Sequence, residues 1–429
     1  MIISSQALKD LRLGTNLMAK ILYISYDGMV SHIGQAQVLP YLRGLVLRGH
    51  RFSLISFERN LKLPEISALK QELHTIGIDW HPRQFRVRPP LISKLIDQAV
   101  LQYAVGLLMA KNHYDIVHSR SYVAASAGLR AARRHSVPHL FDMRGFWVDQ
   151  RLEGSRWPQK KPFFRWLYNK WKRKERELIS GSNSVIVLTE AARRILVDWE
   201  GGKTKPIAVI PCAYLHQPHN EPDCERRANA RAKLGVRHDE SVLVYLGSLG
   251  SVYMLQEMLT FYAQFQARFG RTRFFFLGST DREFVLATAA RIGLKFSEDE
   301  LIFLRCAPNE VHLWLNAGDA AVCFITPTFS SLGVSPTKLA EYLAIGLPTV
   351  VNSQVGDVAS IIADMPGSGV VIDDFEPGTL NKAMEQLAAL VPADRTAIRG
   401  ASQAIHDLPQ AIDAFDRVYI QLTERDTDD

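Results

Sequence analysis

The chain has 429 residues, 47% of them apolar and 22% charged, with a formal net charge of +7. That length exceeds one ordinary hydrophobic core and that apolar content excludes a disordered chain, so two or three globular domains are expected, with a surface that favours anionic partners. The four cysteines, Cys212, Cys224, Cys306 and Cys323, form no CxxC and no His/Cys cluster of zinc spacing, which speaks against a metal site and suits reduced, cytosolic thiols.

Residues 1–17 place Lys9, Asp10 and Arg12 among apolar positions, so no signal-peptide core forms and the stretch reads as a loose extension ahead of Met18. Short buried-looking runs then alternate with helical patterns. The strand candidates are Ile21–Tyr26, Phe52–Phe57, Asp115–Ser119, His139–Met143 and Ser184–Thr189, followed by Val242–Gly247, Arg273–Gly278, Leu301–Arg305, Ala320–Ile325, Pro348–Asn352 and Gly369–Asp373. Near-continuous apolar strands alternating with helices predict parallel sheets covered on both faces, an α/β class. The longest apolar stretch, Leu95–Ala110, is interrupted by Asp97 and Gln98 and falls short of the roughly 18 residues that a spanning helix needs, so no membrane crossing is expected. Pro206, Pro211, Pro218 and Pro222 punctuate a stretch without periodicity, which marks residues 206–226 as a linker between an N-terminal domain, 18–205, and a C-terminal domain, 227–408. Residues 409–429 are left as a terminal helix and a polar tail.

Ligands of doubly wound sheets bind beyond the carboxyl ends of the strands, which makes the residues there the candidates. The turn Gly28–Gln35 follows the first strand; Gly34 would let backbone approach a ligand and Gln35 offers it an amide. No GxGxxG follows that strand, which argues against a dinucleotide dehydrogenase. His118 and Arg120 close the third strand candidate. Asp142, Arg144 and Asp149 close the fourth, with Arg144 suited to a diphosphate and a carboxylate to a hydroxyl. Residues 160–177 interleave eight cations, Lys160 to Arg176, with Phe163, Phe164, Trp166, Tyr168 and Trp171; this fits peripheral contact with an anionic membrane, or a cationic surface helix, and not nucleic acid.

The most specific stretch is Ser335-Pro336-Thr337-Lys338-Leu339-Ala340-Glu341-Tyr342-Leu343-Ala344-Ile345-Gly346-Leu347-Pro348. Ser335 is the expected N-cap, Pro336 the first helical residue and Gly346 the stop. A helix start with Lys338 on its first turn is a phosphate site, and Glu341, one turn later on the same face, is placed for ribose hydroxyls. The same residues also suit a capped helix with a local Lys–Glu pair.

This stretch resembles the donor-binding helix of family-4 glycosyltransferases of the GT-B fold. The segments Ile24–Met29, Gly34–Leu42, Asp142–Trp147, Gly247–Gly250 and Tyr253–Leu255 resemble a bacterial surface-polysaccharide branch of that family, and appear in the family's order. The resemblance implies two Rossmann-like domains facing across a cleft, with a helix near Gln410–Arg425 crossing back to the first domain. It implies a retaining, metal-independent transferase with no cofactor beyond a nucleoside diphosphate sugar as co-substrate, acting on a saccharide or polyprenyl-linked acceptor in the cytoplasm, peripherally on the inner face of the cell membrane. Lys338, Glu341, Asp142 and Arg144 would be catalytic. Gly247, Ser248, Arg305, Gly333, Val334, Ser335 and Thr337 would join Lys338 and Glu341 on the donor, and Gly34, Gln35, His118, Arg120 and Asp149 would lie on the acceptor side. Three departures stand out. Relatives often carry a glutamate eight residues before Glu341, and here that position is Gly333; the diphosphate Arg and Lys that many relatives carry are missing from Gly247–Gln256; Arg120 replaces the second histidine of a frequent His-x-His. A sugar-nucleotide epimerase and a non-catalytic nucleotide-sugar scaffold are the competing readings.

Overall fold

A computed structural model describes residues 18–158, 160–199, 204–216, 222–250, 252–391 and 394–424, leaving aside the side chains of 90 and 91. The expectations for 1–17, for Pro218 and for the tail after Glu424 lie outside the described residues. The chain divides into two compact units, one running through Ile210 and resuming at Leu408, the other Pro211–Asp407.

The first unit carries β1 (Lys20–Ser25), β2 (Arg51–Glu58), β3 (Ile78–Gln84), β4 (Ile116–Arg120), β5 (His139–Asp142), β6 (Ser184–Val187) and β7 (Ile207–Val209). They form one sheet in the order β3-β2-β1-β4-β5-β6-β7, and every pairing is parallel. Two of these strands, β3 and β7, are missing from the sequence reading. β3 is an edge strand with Pro82 inside it, and only Ile78 and Trp80 of its seven residues are buried. β7 has three residues, none fully buried, inside the stretch read as linker. Leu22, Ile24, Ile55 and Phe57 pack on Leu101, Ala104, Val105 and Leu108 of the helix Pro90–Lys111 and on Ala124 and Ala127 of the helix Ser121–His135. The C-terminal helix Leu408–Glu424 buries Leu408, Ile412, Phe415, Val418, Tyr419 and Leu422 in this unit. It approaches so closely that a β-carbon at Gly44 would stand 2.1 Å from Ile412 Cδ1. Asp413 pairs with Arg48, and Asp416 Oδ1 lies 2.7 Å from His50 Nε2.

The second unit carries β8 (Ser241–Leu246), β9 (Thr272–Leu277), β10 (Leu301–Leu304), β11 (Ala320–Cys323), β12 (Thr349–Asn352) and β13 (Gly369–Ile372), ordered β10-β9-β8-β11-β12-β13 and again parallel throughout. Successive side chains of a strand point to opposite faces, and the sheet feeds two cores accordingly. Leu243, Tyr245, Phe274 and Phe276 join the helices Leu255–Phe269 and Pro377–Leu390 on one face. Val242, Val244, Leu246, Phe275 and Leu277 join Leu339, Tyr342 and Leu343 of the helix Thr337–Ala344 on the other. Among the described residues no helix is long and apolar enough to cross a membrane.

In each sheet the strand order reverses once, between β1 and β4 and between β8 and β11. The crevice outside the carboxyl ends at such a reversal is where doubly wound sheets take ligands.

Candidate functional site

In the second unit the reversal brings together the turn after β8 and the loop after β11. Gly247 leaves β8 with φ +104°, a left-handed conformation that favours glycine. Thr280 Oγ1 donates to its carbonyl at 2.9 Å, and a side chain on neighbouring Gly278 would meet Gly247 backbone at 3.1 Å, so the two turns are stacked tightly. Ser248 is exposed, and its carbonyl accepts from Tyr245 Oη at 3.0 Å. Beyond β11 the chain makes a 3-10 turn, Ser330–Gly333, with Ser331 and Gly333 buried; Val334 N donates to Ser331 O at 3.1 Å.

The helix then begins one residue later than expected. Pro336 is its N-cap, no side chain caps it, and Thr337 is the first helical residue. Ser335 is therefore not the cap; its hydroxyl accepts from Cys212 N at 3.1 Å. Lys338 is buried. Its Nζ donates to Tyr245 Oη at 2.9 Å and stands 4.1 Å and 3.5 Å from the ring centroids of Tyr245 and Tyr253. The position of a β-carbon on Gly247 is 3.7 Å from that ammonium. Burial lowers the Lys338 pKa to about 8, against the raising effect of Cys323 and Glu341. Burial likewise raises the Glu341 pKa to about 7, only partly offset by Lys338. The lysine head is thus held by a hydroxyl and two ring faces instead of by a carboxylate, and a dehydrated cation of this kind gains most from an added anion. Tyr342, four residues after Lys338, accepts from Leu246 N at 2.6 Å and ties the helix to the end of β8. Arg305 is exposed just past the edge strand β10, with β9 between it and β8.

In the first unit a buried polar chain crosses the ends of β1, β4 and β5. Arg120 donates to Asp27 and, at 2.8 Å, to Gln37 Oε1, which also accepts from Arg144 Nη2 at 3.3 Å. Arg144 Nη1 lies 3.8 Å from Asp142 Oδ1, and Asp142 Oδ2 lies 3.9 Å from His118 Nε2. Burial raises the Asp142 pKa, but Arg144, His118 and Arg120 together outweigh it and hold the carboxyl below its ordinary value. His118 is enclosed: its Nδ1 is 2.7 Å from Tyr419 Oη, Tyr23 and Phe415 flank its ring, and burial lowers its pKa. Arg144 has φ +56°, a left-handed conformation costly for a non-glycine residue, and is followed by Gly145 at +104°.

Three of the residues expected on the acceptor side have local partners. Gly34 serves the turn itself, since a β-carbon there would fall 2.3 Å from Gly28 O and 2.4 Å from Met29 Cα. Gln35 spends its amide on Met29 O at 2.9 Å. Asp149 is drawn to the basic helix Pro162–Gly181, accepting from Tyr168 Oη at 2.8 Å and Lys172 Nζ at 2.9 Å. Sequence reasoning missed Gln37, Tyr245, Tyr253 and Glu58. Glu58, buried at the end of β2, accepts from Met29 N at 2.6 Å and fixes the Gly28–Val30 turn.

Two doubly wound parallel sheets, each with charged groups at its carboxyl edge, are the make-up of the GT-B class of protein. This chain belongs to the family-4, group 1 glycosyltransferases: residues 34–213 match the glycosyl transferase 4-like domain and residues 226–402 match glycosyl transferases group 1. A curated relative, D-inositol 3-phosphate glycosyltransferase of Kineococcus radiotolerans, is 26% identical over 145 residues, which are 33% of this chain and 30% of the relative's length. Among solved structures, a sucrose-phosphate synthase of Thermosynechococcus elongatus superposes with a TM-score of 0.70 at 15% identity, covering 95% of this chain and 100% of the other. HepE of Anabaena, solved with UDP and glucose, gives 0.67 at 13% identity, covering 93% and 99%.

Proposed function

We propose that the protein moves a sugar from a nucleoside diphosphate sugar to a saccharide or polyprenyl-linked acceptor, with retention and without a metal, in cell-surface polysaccharide synthesis. The observation that carries this reading is the buried ammonium of Lys338 beside the Gly247 turn, with Glu341 one helical turn on. The diphosphate would lie on Lys338 and the start of its helix, where negative charge grows as the bond from the anomeric carbon to the phosphate oxygen breaks. The acceptor oxygen would bond to that carbon on the same face, and its proton would pass to the departing phosphate. Glu341 would accept from the ribose hydroxyls. Asp142 and Arg144 would orient the acceptor from the first unit. HepE, solved with UDP and with UDP-glucose, supports a nucleotide sugar as donor. Work at the cytoplasmic membrane surface is supported by residues 160–177, where Phe163 is 46% and Trp166 52% exposed among cations.

The test is a thermal-shift screen of nucleoside diphosphate sugars, because a bound ligand raises the unfolding temperature by mass action. One donor is expected to stabilise the wild type and to stabilise Lys338→Met and Glu341→Gln far less. NMR of the transferred sugar is expected to show an unchanged anomeric configuration, and turnover is expected to survive a chelator. Equal stabilisation of all three proteins refutes the donor assignment. A non-catalytic binder, favoured by Gly333 in place of the first glutamate, would bind donor yet neither transfer nor hydrolyse it.

A further inference from the structure

The helix Leu408–Glu424, the last element of the chain, meets the sheet of the first unit at His118 on β4. The imidazole is packed on both faces. Tyr23 of β1 has its ring centre 4.4 Å away, and Phe415 of the helix stacks at 5.8 Å with 24° between the planes. Tyr419 Oη stands 2.7 Å from Nδ1. Nε2 turns the other way, to Asp142 Oδ2 at 3.9 Å, and Asp142 Oδ1 is 3.8 Å from Arg144 Nη1. Both contacts of the carboxylate are longer than a hydrogen bond, Oδ1 is buried without a hydrogen-bond partner, and a cavity of about 10 Å³ adjoins it. Its place is therefore set by the charges and dipoles around it.

The hydroxyl of Tyr419 decides which dipole His118 presents. Tyr419 is fully buried, and among the described residues Nδ1 is the one partner of its hydroxyl. A phenol has a proton to place as well as lone pairs to fill. Accepting from an Nδ1–H would leave that O–H buried and unmet, whereas donating to Nδ1 satisfies both atoms. Burial lowers the His118 pKa, so near neutral pH the ring carries one proton, and with Nδ1 accepting that proton sits on Nε2. The Nε2–H then faces a carboxylate, which can only accept. The reverse tautomer would turn a lone pair toward the same negative charge in surroundings that screen little. Tyr419, His118, Asp142 and Arg144 thus form one file from the C-terminal helix to the end of β5.

We propose that Tyr419 is a positioning residue of the acceptor side: by donating to Nδ1 it fixes the Nε2–H tautomer of His118, and that N–H keeps the Asp142 carboxylate in place beside Arg144. Its weight for the reaction rests on the roles given above to Asp142 and Arg144.

Nitrogen NMR of the full chain labelled at histidine tests it, with the His118 signals assigned from their loss in His118→Gln. The wild-type ring is expected to carry its proton on Nε2, and Asp142→Asn to leave it there. Tyr419→Phe is expected to move both ring nitrogens toward the values of mixed tautomers. Transfer is read with the donor of the thermal-shift screen and a panel of 4-nitrophenyl glycosides as acceptors. Tyr419→Phe is expected to lower acceptor kcat/KM at least tenfold and to leave donor KM within twofold. His118→Gln, whose amide can accept from Tyr419 and donate to Asp142, is expected to keep more of the acceptor kcat/KM than His118→Leu. Thermal melts of each variant are the folding control. Three results overturn the proposal: a wild-type ring protonated on Nδ1, ring nitrogens unmoved in Tyr419→Phe, or a loss in that variant that falls equally on donor and acceptor KM. The nitrogen signals are read without substrate, so a wild type that transfers nothing refutes the transferase reading and not the tautomer.

Discussion

Changing the pH between 6 and 9 is expected to move donor affinity along a bell. Glu341, raised to about 7, must lose its proton before it accepts from a sugar diol; Lys338, lowered to about 8, must keep its own to hold a phosphate. The fraction of protein in the competent form is greatest midway, at about pH 7.5, and is about sixfold smaller at pH 6 and at pH 9, or about 1 kcal/mol of binding energy. The two groups lie one turn apart and titrate as a pair, so the limbs belong to the pair. Calorimetric titration with the best-binding nucleotide sugar of the screen is the assay, because its diester phosphates do not titrate in this range. Glu341→Gln is expected to remove the acid limb and Lys338→Met the alkaline limb. A flat wild-type profile, or an acid limb that persists in Glu341→Gln, refutes the reasoning. The unliganded fold carries the same signature. A carboxyl whose pKa is higher folded than unfolded lends stability at low pH that is lost as pH rises through 7, here by up to about 3 kcal/mol.

Three stability changes follow from the packing, each read by denaturant titration. Gly34→Ala forces a β-carbon to 2.3 Å from Gly28 O, between backbone atoms that cannot yield, and is expected to cost about 3 kcal/mol or more; wild-type stability would show that the turn is looser than described. Tyr342→Phe strips the buried Leu246 N–H of its acceptor and is expected to cost about 1–3 kcal/mol, whereas no loss would mean that another group takes over. Tyr419→Phe orphans His118 Nδ1, with an expected loss of about 1–3 kcal/mol and a shifted His118 imidazole resonance; an unmoved resonance would place that ring elsewhere.

The parallel α/β architecture was legible because the central strands are nearly continuous apolar runs, such as Ile21–Ile24 and Phe274–Leu277. β3 and β7 escaped because each lies at a sheet edge, where one neighbour suffices and the burial that writes a strand into sequence is absent. At the proposed donor site, Lys338 and Glu341 stand on the expected helix, yet proline took the cap from Ser335, a shift by one residue of the kind that local propensity does not decide. The partners of these groups were not legible at all. Tyr245 meets Lys338 across 93 positions, Gln37 meets Arg144 across 107, and Tyr419 meets His118 across 301. Such pairs are set by sheet order and helix packing, and no local window contains both members.

The return of Leu408–Glu424 to the first unit makes that unit discontinuous, with Pro211–Asp407 inserted into it. During synthesis, residues through Ile210 leave the ribosome without Phe415, Tyr419 and Asp416, and His118 and His50 wait for their partners while the whole second unit is translated. The inserted unit, contiguous in sequence, has all of its own core at hand first. The helix Leu408–Glu424 can therefore join the first unit only after the whole of the second has been translated.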